Sequence, residues 1–379
     1  MSNSLTGLIP SLYESLDIIS REQVGFIPAV TLSASAARAA VGQAVVIPMA
    51  PASLASDITP GVTAPDNGDQ TMANTSIMIT KARAVPFRWN GEEQLGLNSN
   101  GPGYASIRNS QMIQAMRTLT NEIEVDLGGL ASTASRAWGT AGTTPFATNL
   151  GDPAQLLKIL KDNGAPPADL QLVIDTTAGA ALRTLTQLTK VNEAGDSGLL
   201  RQGILLPLSG FDVRESAGVK TGGAVGTGTG YVTSGTASVG ATTVSLTGGS
   251  GTVIAGDFVT FAGDASKYAV AVGISAPGAI TLQAPGLRKA LGNGVAMTIG
   301  ASATLALAFQ RSAIVLATRA PALPVEGDAA VDRITVTDPR SGITFEVSMY
   351  AQYRQVRYEM AIAWGVKNIK SAHSAVLLG

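Results

Sequence analysis

From Gln355 to Trp364 the chain alternates without a break. Val356, Tyr358, Met360, Ile362 and Trp364 fall on one side, and Gln355, Arg357, Glu359 and Ala361 on the other. Successive side chains of a strand point to opposite faces, so this period of two specifies a strand with one buried face and one solvated face. A helix would repeat its apolar positions every three or four residues. Tyr358 and Trp364 are thereby assigned to a core, and Arg354 and Arg357 to solvent rather than to a nucleic-acid contact. A one-faced strand needs a sheet beside it and a layer over it, which the rest of the chain must supply.

One such layer is written upstream. In SIRNSQMIQAMRTLTNEIEVDLGGLASTASRAW, the residues Ile113, Met116, Ile123, Leu127 and Leu130 trace one stripe at helical spacing, with Gly128 and Gly129 weakening the last turns. An α/β stretch follows. Asp152 as N-cap, Pro153 at the first helical position and Gln155 as capping-box partner predict a helix that Asn163-Gly164 ends. LQLVID reads as a strand, TTAGAALRTLTQLTK as a helix and GFDVRES as a strand, with Phe211 to Val213 expected to pair with Leu305 to Phe309.

The N-terminal part is looser. Leu8, Leu12, Leu16 and Ile19 recur at helical spacing before an arm that runs to about Ala44. From Val45 to Leu97, AVVIPM and NTSIMITKARAVPFRW bracket a middle rich in turn formers, APASLASDITPGVTAPDNGDQ. A loop of this length inside a compact domain implies function or support from a partner. No Lys or Arg lies between Arg38 and Lys81, whereas Asp57, Asp66 and Asp69 do. The segment reads as a two-stranded arm with an acidic tip, and these three carboxylates are the candidate contact residues for a basic surface on an adjacent subunit.

Between Gly218 and Gly300 the composition shifts. KTGGAVGTGTGYVTSGT is a Gly/Thr-rich linker. Behind it, Val244 and Leu246, Phe258 and Phe261, Tyr268 to Ile274, Ile280 and Leu282, and Val295 to Ile299 mark five or six short strands between turn signals, the pattern of a small barrel or sandwich. LALAFQRSAIVLAT then returns to the earlier α/β character, so the β-rich segment reads as an insertion.

Composition limits what such a chain does. Charged residues make up 14% and hydrophobic ones 45%, against roughly 25% charged in ordinary soluble domains. Surface must therefore be covered, by lipid or by other subunits. Lipid is disfavoured, because no charge-free apolar run reaches about 18 residues and the best stretch, Val295 to Ala320, holds Arg311 and Arg319. The first residues lack a basic leader and carry Glu14 and Asp17, so no signal peptide is expected. A net charge of −1 argues against bulk attraction to nucleic acid. The absence of Cys removes disulfide, thiolate and zinc–thiolate chemistry. His373, the one histidine, sits in the polar stretch KSAHS and reads as an exposed tail residue. Glu92-Glu93 reads as a solvated turn, and Gly222 to Gly230 matches no phosphate-loop spacing. No catalytic, cofactor or metal residue is assigned, and no enzyme activity is expected.

The order of segments resembles the major capsid proteins of tailed bacteriophages, whose shell fold is named after phage Hong Kong 97. GILLPLSGFDVRES is similar to the glycine-then-strand passage of the apical domain and GDFVTFAGDASKYAV to the opening strands of a mid-chain inserted β-barrel. LAFQRSAIVLATRAPALP resembles the return into the apical domain, and SMYAQYRQVRYEMAIAWGVKNIK the closing strand of the peripheral domain. The resemblance implies an α+β fold: N-terminal arm 1–44, extended hairpin loop 45–97, spine helix 98–140, apical domain 141–217 and 301–325, inserted barrel 218–300, peripheral strands 326–379. It also implies hexamers and pentamers tiling an icosahedral shell around double-stranded DNA bound without sequence specificity, in a virion assembled in the bacterial cytoplasm. Scaffolding and portal proteins are the implied partners, with no membrane. A β-rich surface protein of adhesin type is the alternative class.

Overall fold

The computed structural model describes residues 25–49, 55, 57–58, 60–62, 73–100, 103–185, 188, 207–337 and 342–379. The single turn α1 (Phe26–Ala29) leads into β1 (Thr31–Ala39), β2 (Ala44–Met49), β3 (Ala73–Met78) and β4 (Lys81–Asn90). Then come α2 (Gly91–Asn100), the 26-residue α3 (Tyr104–Gly129), β5 (Arg136–Gly139), α4 (Gly151–Asp162), β6 (Leu170–Ile174), α5 (Thr176–Thr184) and β7 (Phe211–Glu215). Eight strands follow: β8 (Lys220–Thr221), β9 (Thr229–Thr233), β10 (Thr243–Ser250), β11 (Phe258–Phe261), β12 (Lys267–Val272), β13 (Ala279–Leu282), β14 (Met297–Ile299) and β15 (Thr304–Gln310). The chain closes with β16 (Ile314–Pro321), β17 (Asp332–Thr337), β18 (Thr344–Gln352), β19 (Gln355–Asn368) and β20 (Ser374–Leu378).

The alternating run forms β19, the axis of a six-stranded sheet. Ala361 pairs with Ala84 of β4 and Glu346 of β18, while Ala363 pairs with Ala82 of β4 and Arg319 of β16. A strand has two edges, so β4 runs along one and β18 followed by β16 along the other. β1 lies parallel to β16, and β17 antiparallel to β18. The apolar face of β19 meets α3: Met360, Ile362 and Trp364 share a core with Met112, Met116, Leu119, Ile123 and Leu127. Trp364 is fully buried, its Nε1 donates to Asp126 Oδ2 at 2.9 Å, and Lys81 reaches Asp126 Oδ1 at 2.7 Å. This joint ties β4, α3 and β19 together.

A twelve-stranded sheet holds the other half. Its order begins β7-β6-β15-β20-β5-β12. Phe211–Glu215 pairs in parallel with Leu170–Ile174, and it is β6 that pairs with β15. The expected pairing of Phe211 to Val213 with Leu305 to Phe309 is therefore corrected, since β6 lies between them. β20 occupies the slot between β15 and β5, with all five residues buried.

From Thr229 to Ile299 the strands close a ring. β9 pairs with β10, β10 with β13, β13 with β12, β12 with β11, and β11 with β14. β14 returns to β9 through the Val232–Ala296 bridge and the 2.9 Å bond from Thr233 N to Val295 O. Tyr231, Val244, Leu246, Val259, Phe261, Tyr268, Ile280 and Leu282 fill its interior as a separate cluster. The ring is stitched to the larger sheet where Lys267 and Tyr268 pair with Ala137 and Arg136.

Three local expectations change. Asp152 lies inside the first turn of α4 and does not cap it; its carboxylate accepts from Phe146 N at 3.2 Å and Trp138 Nε1 at 3.3 Å. Glu92-Glu93 opens α2: Asn90 N donates to Glu93 Oε2 at 3.0 Å and Glu93 N to Asn90 Oδ1 at 2.7 Å, a capping box in which the two residues satisfy each other's free amides. His373 is half-buried in a single 3-10 turn rather than an exposed tail, because the residues after it form β20. Burial, then the neighbouring Lys370, lowers its pKa below 6.5. Asn163 does end α4, with Gly164 at φ +78° and its N–H donating to Lys161 O at 3.0 Å.

Candidate subunit interface

β2 and β3 pair over six residues, from Ala44 opposite Met78 to Met49 opposite Ala73. Lys367 Nζ donates to Ser76 O at 2.8 Å, and Gly365 lets β3 pass so close that a Cβ there would lie 2.0 Å from Met78 O. Val45, Ile47 and Ile77 pack against Ala39, Val315, Ala317 and Ala363. The opposite face has no such cover: Val46 is 59% and Met78 54% exposed, and Val41 at the foot of the hairpin is 58% exposed. Ile58 and Val62, farther along, lie open to solvent. Burying a valine or methionine side chain fully is worth about 1.5–3 kcal/mol.

The structure places Asp57 exposed beside Ile58, with no basic partner among the described residues. Asp66 and Asp69 lie outside the described residues. Reading for charge found the carboxylates and passed over the apolar side chains. The signal was present in AVVIPM, where Val45, Val46 and Ile47 are all apolar: a strand with one solvated face alternates, and one without alternation has both faces covered.

A second patch sits at the far end of β19. Tyr353 and Arg354 form the tight turn between β18 and β19; Tyr353 is 88% exposed and Arg354 has φ +54°. The Arg354 guanidinium lies 5.8 Å from the Tyr353 ring centroid, and Gly91 N donates to Arg354 O at 3.2 Å. Leu95 of α2 is exposed on the same flank.

A groove of about 360 Å³ is lined by residues including Trp138, Asp152 and Lys267. Its polar groups face one another: Asp152 accepts from Trp138 and Phe146, and Lys267 donates to Gly139 O. Burial lowers the Lys267 pKa. Among the described residues no group of three or more His, Cys, Asp and Glu stands where it could hold a metal ion, and no helix is long and apolar enough to cross a membrane.

No family model and no curated protein matches the chain. Solved structures do. The capsid of cyanophage P-SCSP1u aligns over 94% of this chain and 88% of that one, with a TM-score of 0.51 and 12% identity. A chain from Mycobacterium phage Che8 aligns over 94% and 91%, with a TM-score of 0.47 and 12% identity. The first of these shows the class of fold: this chain is built as a phage capsid subunit is built. At that identity the likeness concerns fold alone.

Proposed function

We propose that the chain is a major capsid protein, which assembles with its own copies into hexamers and pentamers of an icosahedral shell enclosing double-stranded DNA. The observation that carries this reading is the capsid fold combined with apolar side chains, Val46, Met78, Ile58 and Val62, left open on a projecting hairpin. In this reading residues 1–44 are the arm, 45–97 the extended loop, 98–140 the spine, 141–217 and 301–325 the apical domain, 218–300 an inserted β-barrel and 326–379 the peripheral strands. β16 and β20 carry the chain between the two sheets. Asp57, Asp66 and Asp69 dock the loop on Lys or Arg of a neighbour. The protein performs no chemistry, uses no cofactor, and is assembled in the host cytoplasm with a scaffolding protein and a portal.

Expressed with its scaffolding protein, the chain sediments as capsomers or shells, visible by negative-stain microscopy. A chain that stays monomeric under every condition, scaffold present, overturns the reading. Changing all three aspartates to Lys reduces shell yield while leaving the thermal melt of the subunit in place. Each exposed pair is worth about 0–1 kcal/mol, and the effect grows because it repeats at each contact. Normal shells from that triple variant remove the docking role.

A further inference from the structure

Glu124 is an anion in the wrong place for a solvated helix residue. It lies on α3 at 5% exposure, and neither of its oxygens is idle. Oε1 accepts from Ile27 N at 2.8 Å; Oε2 accepts from Phe26 N at 2.9 Å and from Ser216 Oγ at 2.7 Å. Ser216 Oγ in turn accepts from Gly218 N at 3.1 Å. One carboxylate thus joins three segments distant in sequence: α1 at Phe26-Ile27, the helix α3, and the turn Ser216–Gly218 after β7.

Three glycines make this convergence possible. A Cβ on Gly25 would sit 2.5 Å from both Glu124 Oε2 and Ser216 Cβ. A Cβ on Gly128 would sit 2.1 Å from Gly218 O, and one on Gly218 would sit 2.9 Å from the Glu124 carbonyl carbon. Phe26, fully buried beside Leu127 and Val219, seals the joint. A buried carboxylate is tolerable only while its donors stay in place, since each loss leaves charge without compensation. Its donors come from both the arm side and the ring side, so neither side can leave without raising the cost of keeping the other.

We infer that Glu124 is a two-sided latch that couples the seating of α1 at Phe26-Ile27 to the seating of the turn Ser216–Gly218, which follows β7 on the way to the ring. Displacing either segment loosens the other through the shared carboxylate, over and above any general loss of stability. This goes beyond the shell reading and is tested on the unassembled full chain, so the two stand or fall separately.

Hydrogen exchange of the full chain, followed by mass spectrometry, tests the coupling in both directions. Ser216→Ala removes a donor on the ring side and is mild enough to fold. It is expected to speed exchange of the Phe26 and Ile27 amides by roughly ten-fold, the size expected for weakening a hydrogen bond to a charged group. Ile27→Pro, which removes the arm-side donor to Oε1 without building toward Ser216, is expected to speed exchange at Gly218 and Val219. Amides of β6 and β18 stay at the wild-type rate in both variants. Wild type brought to the same global stability with urea sets the baseline. Unchanged Phe26 and Ile27 amides in Ser216→Ala overturn the inference, as does acceleration spread evenly over the chain as in the urea control.

Discussion

The six-stranded sheet and the strand ring solve the same problem by opposite routes. The sheet takes its strands from Thr31 through Asn368, so its pairings span most of the chain. The ring is drawn from Thr229 to Ile299 alone, with short strands, glycine turns and its own apolar interior. Closing distant contacts costs chain entropy before any of them is rewarded, whereas neighbouring strands meet at little cost. The ring is therefore expected to fold ahead of the sheet, which has to wait for distant partners. The ring pairs with β5 of the twelve-stranded sheet along one short seam, Lys267 and Tyr268 against Ala137 and Arg136, while Phe258 and Ala269 reach into the core that α3 shares with the six-stranded sheet.

The severest way to break the comparison is to remove Ser374–Leu378. All five residues are buried between β15 and β5, so their loss splits the sheet and strips one edge of each neighbour, and its cost rivals the entire stability of a typical domain, about 5–15 kcal/mol. Limited proteolysis should then digest the larger sheet and leave a resistant fragment spanning the ring. Digestion of both together would show that the ring has no stability of its own.

Two fully buried aromatics sharpen the contrast. Trp364 anchors the six-stranded sheet and Tyr231 the ring. Replacing either by Ala is expected to cost about 3–5 kcal/mol, but at different sites. Trp364→Ala lowers the main calorimetric transition, while Tyr231→Ala lowers only a separate ring transition. Equal movement of both transitions in both variants would mean one cooperative unit.

The seam itself should matter less. Lys267 donates to Gly139 O across it, and Lys267→Met keeps the apolar stem while removing the donor. The expected cost is about 0.5–1.5 kcal/mol, read as a wider gap between the two transitions in denaturant.

The smallest effect concerns pH. Burial holds the His373 pKa below 6.5 in the folded chain. As pH falls through about 6.5, the unfolded chain binds a proton that the folded chain binds only at lower pH. Stability is therefore full above that range and declines below it, until the folded imidazole titrates too. His373→Gln flattens this portion of the stability–pH profile. A profile unchanged by the substitution would remove the assignment.

What was legible in the sequence follows the same divide. β19, β6, the end of α4 at Asn163-Gly164 and the ring strands are specified by neighbours in sequence: alternation, a capping glycine, turn residues. Features set by remote partners were not. Asp152 is drawn off its expected cap by Trp138 and Phe146. β7 finds β6 rather than β15, because parallel pairing depends on the crossover and leaves no local mark. The terminal stretch read as an exposed tail because the neighbours that turn Ser374–Leu378 into a strand, at Arg136 and Thr304, are far away in sequence. At the interface, charge identified Asp57, while the uncovered face of β2 required knowing which of its two apolar faces was already occupied.

The position of β20 also has a consequence for synthesis. Both of its neighbours leave the ribosome first, and roughly sixty residues separate Gln310 from Ser374. At cellular elongation rates this is a delay on the order of three to ten seconds. Throughout it, the edges of β5 and β15 that β20 will pair lack that partner, so the sheet cannot close. A chaperone that shields extended segments during those seconds would protect the yield of correctly closed sheets.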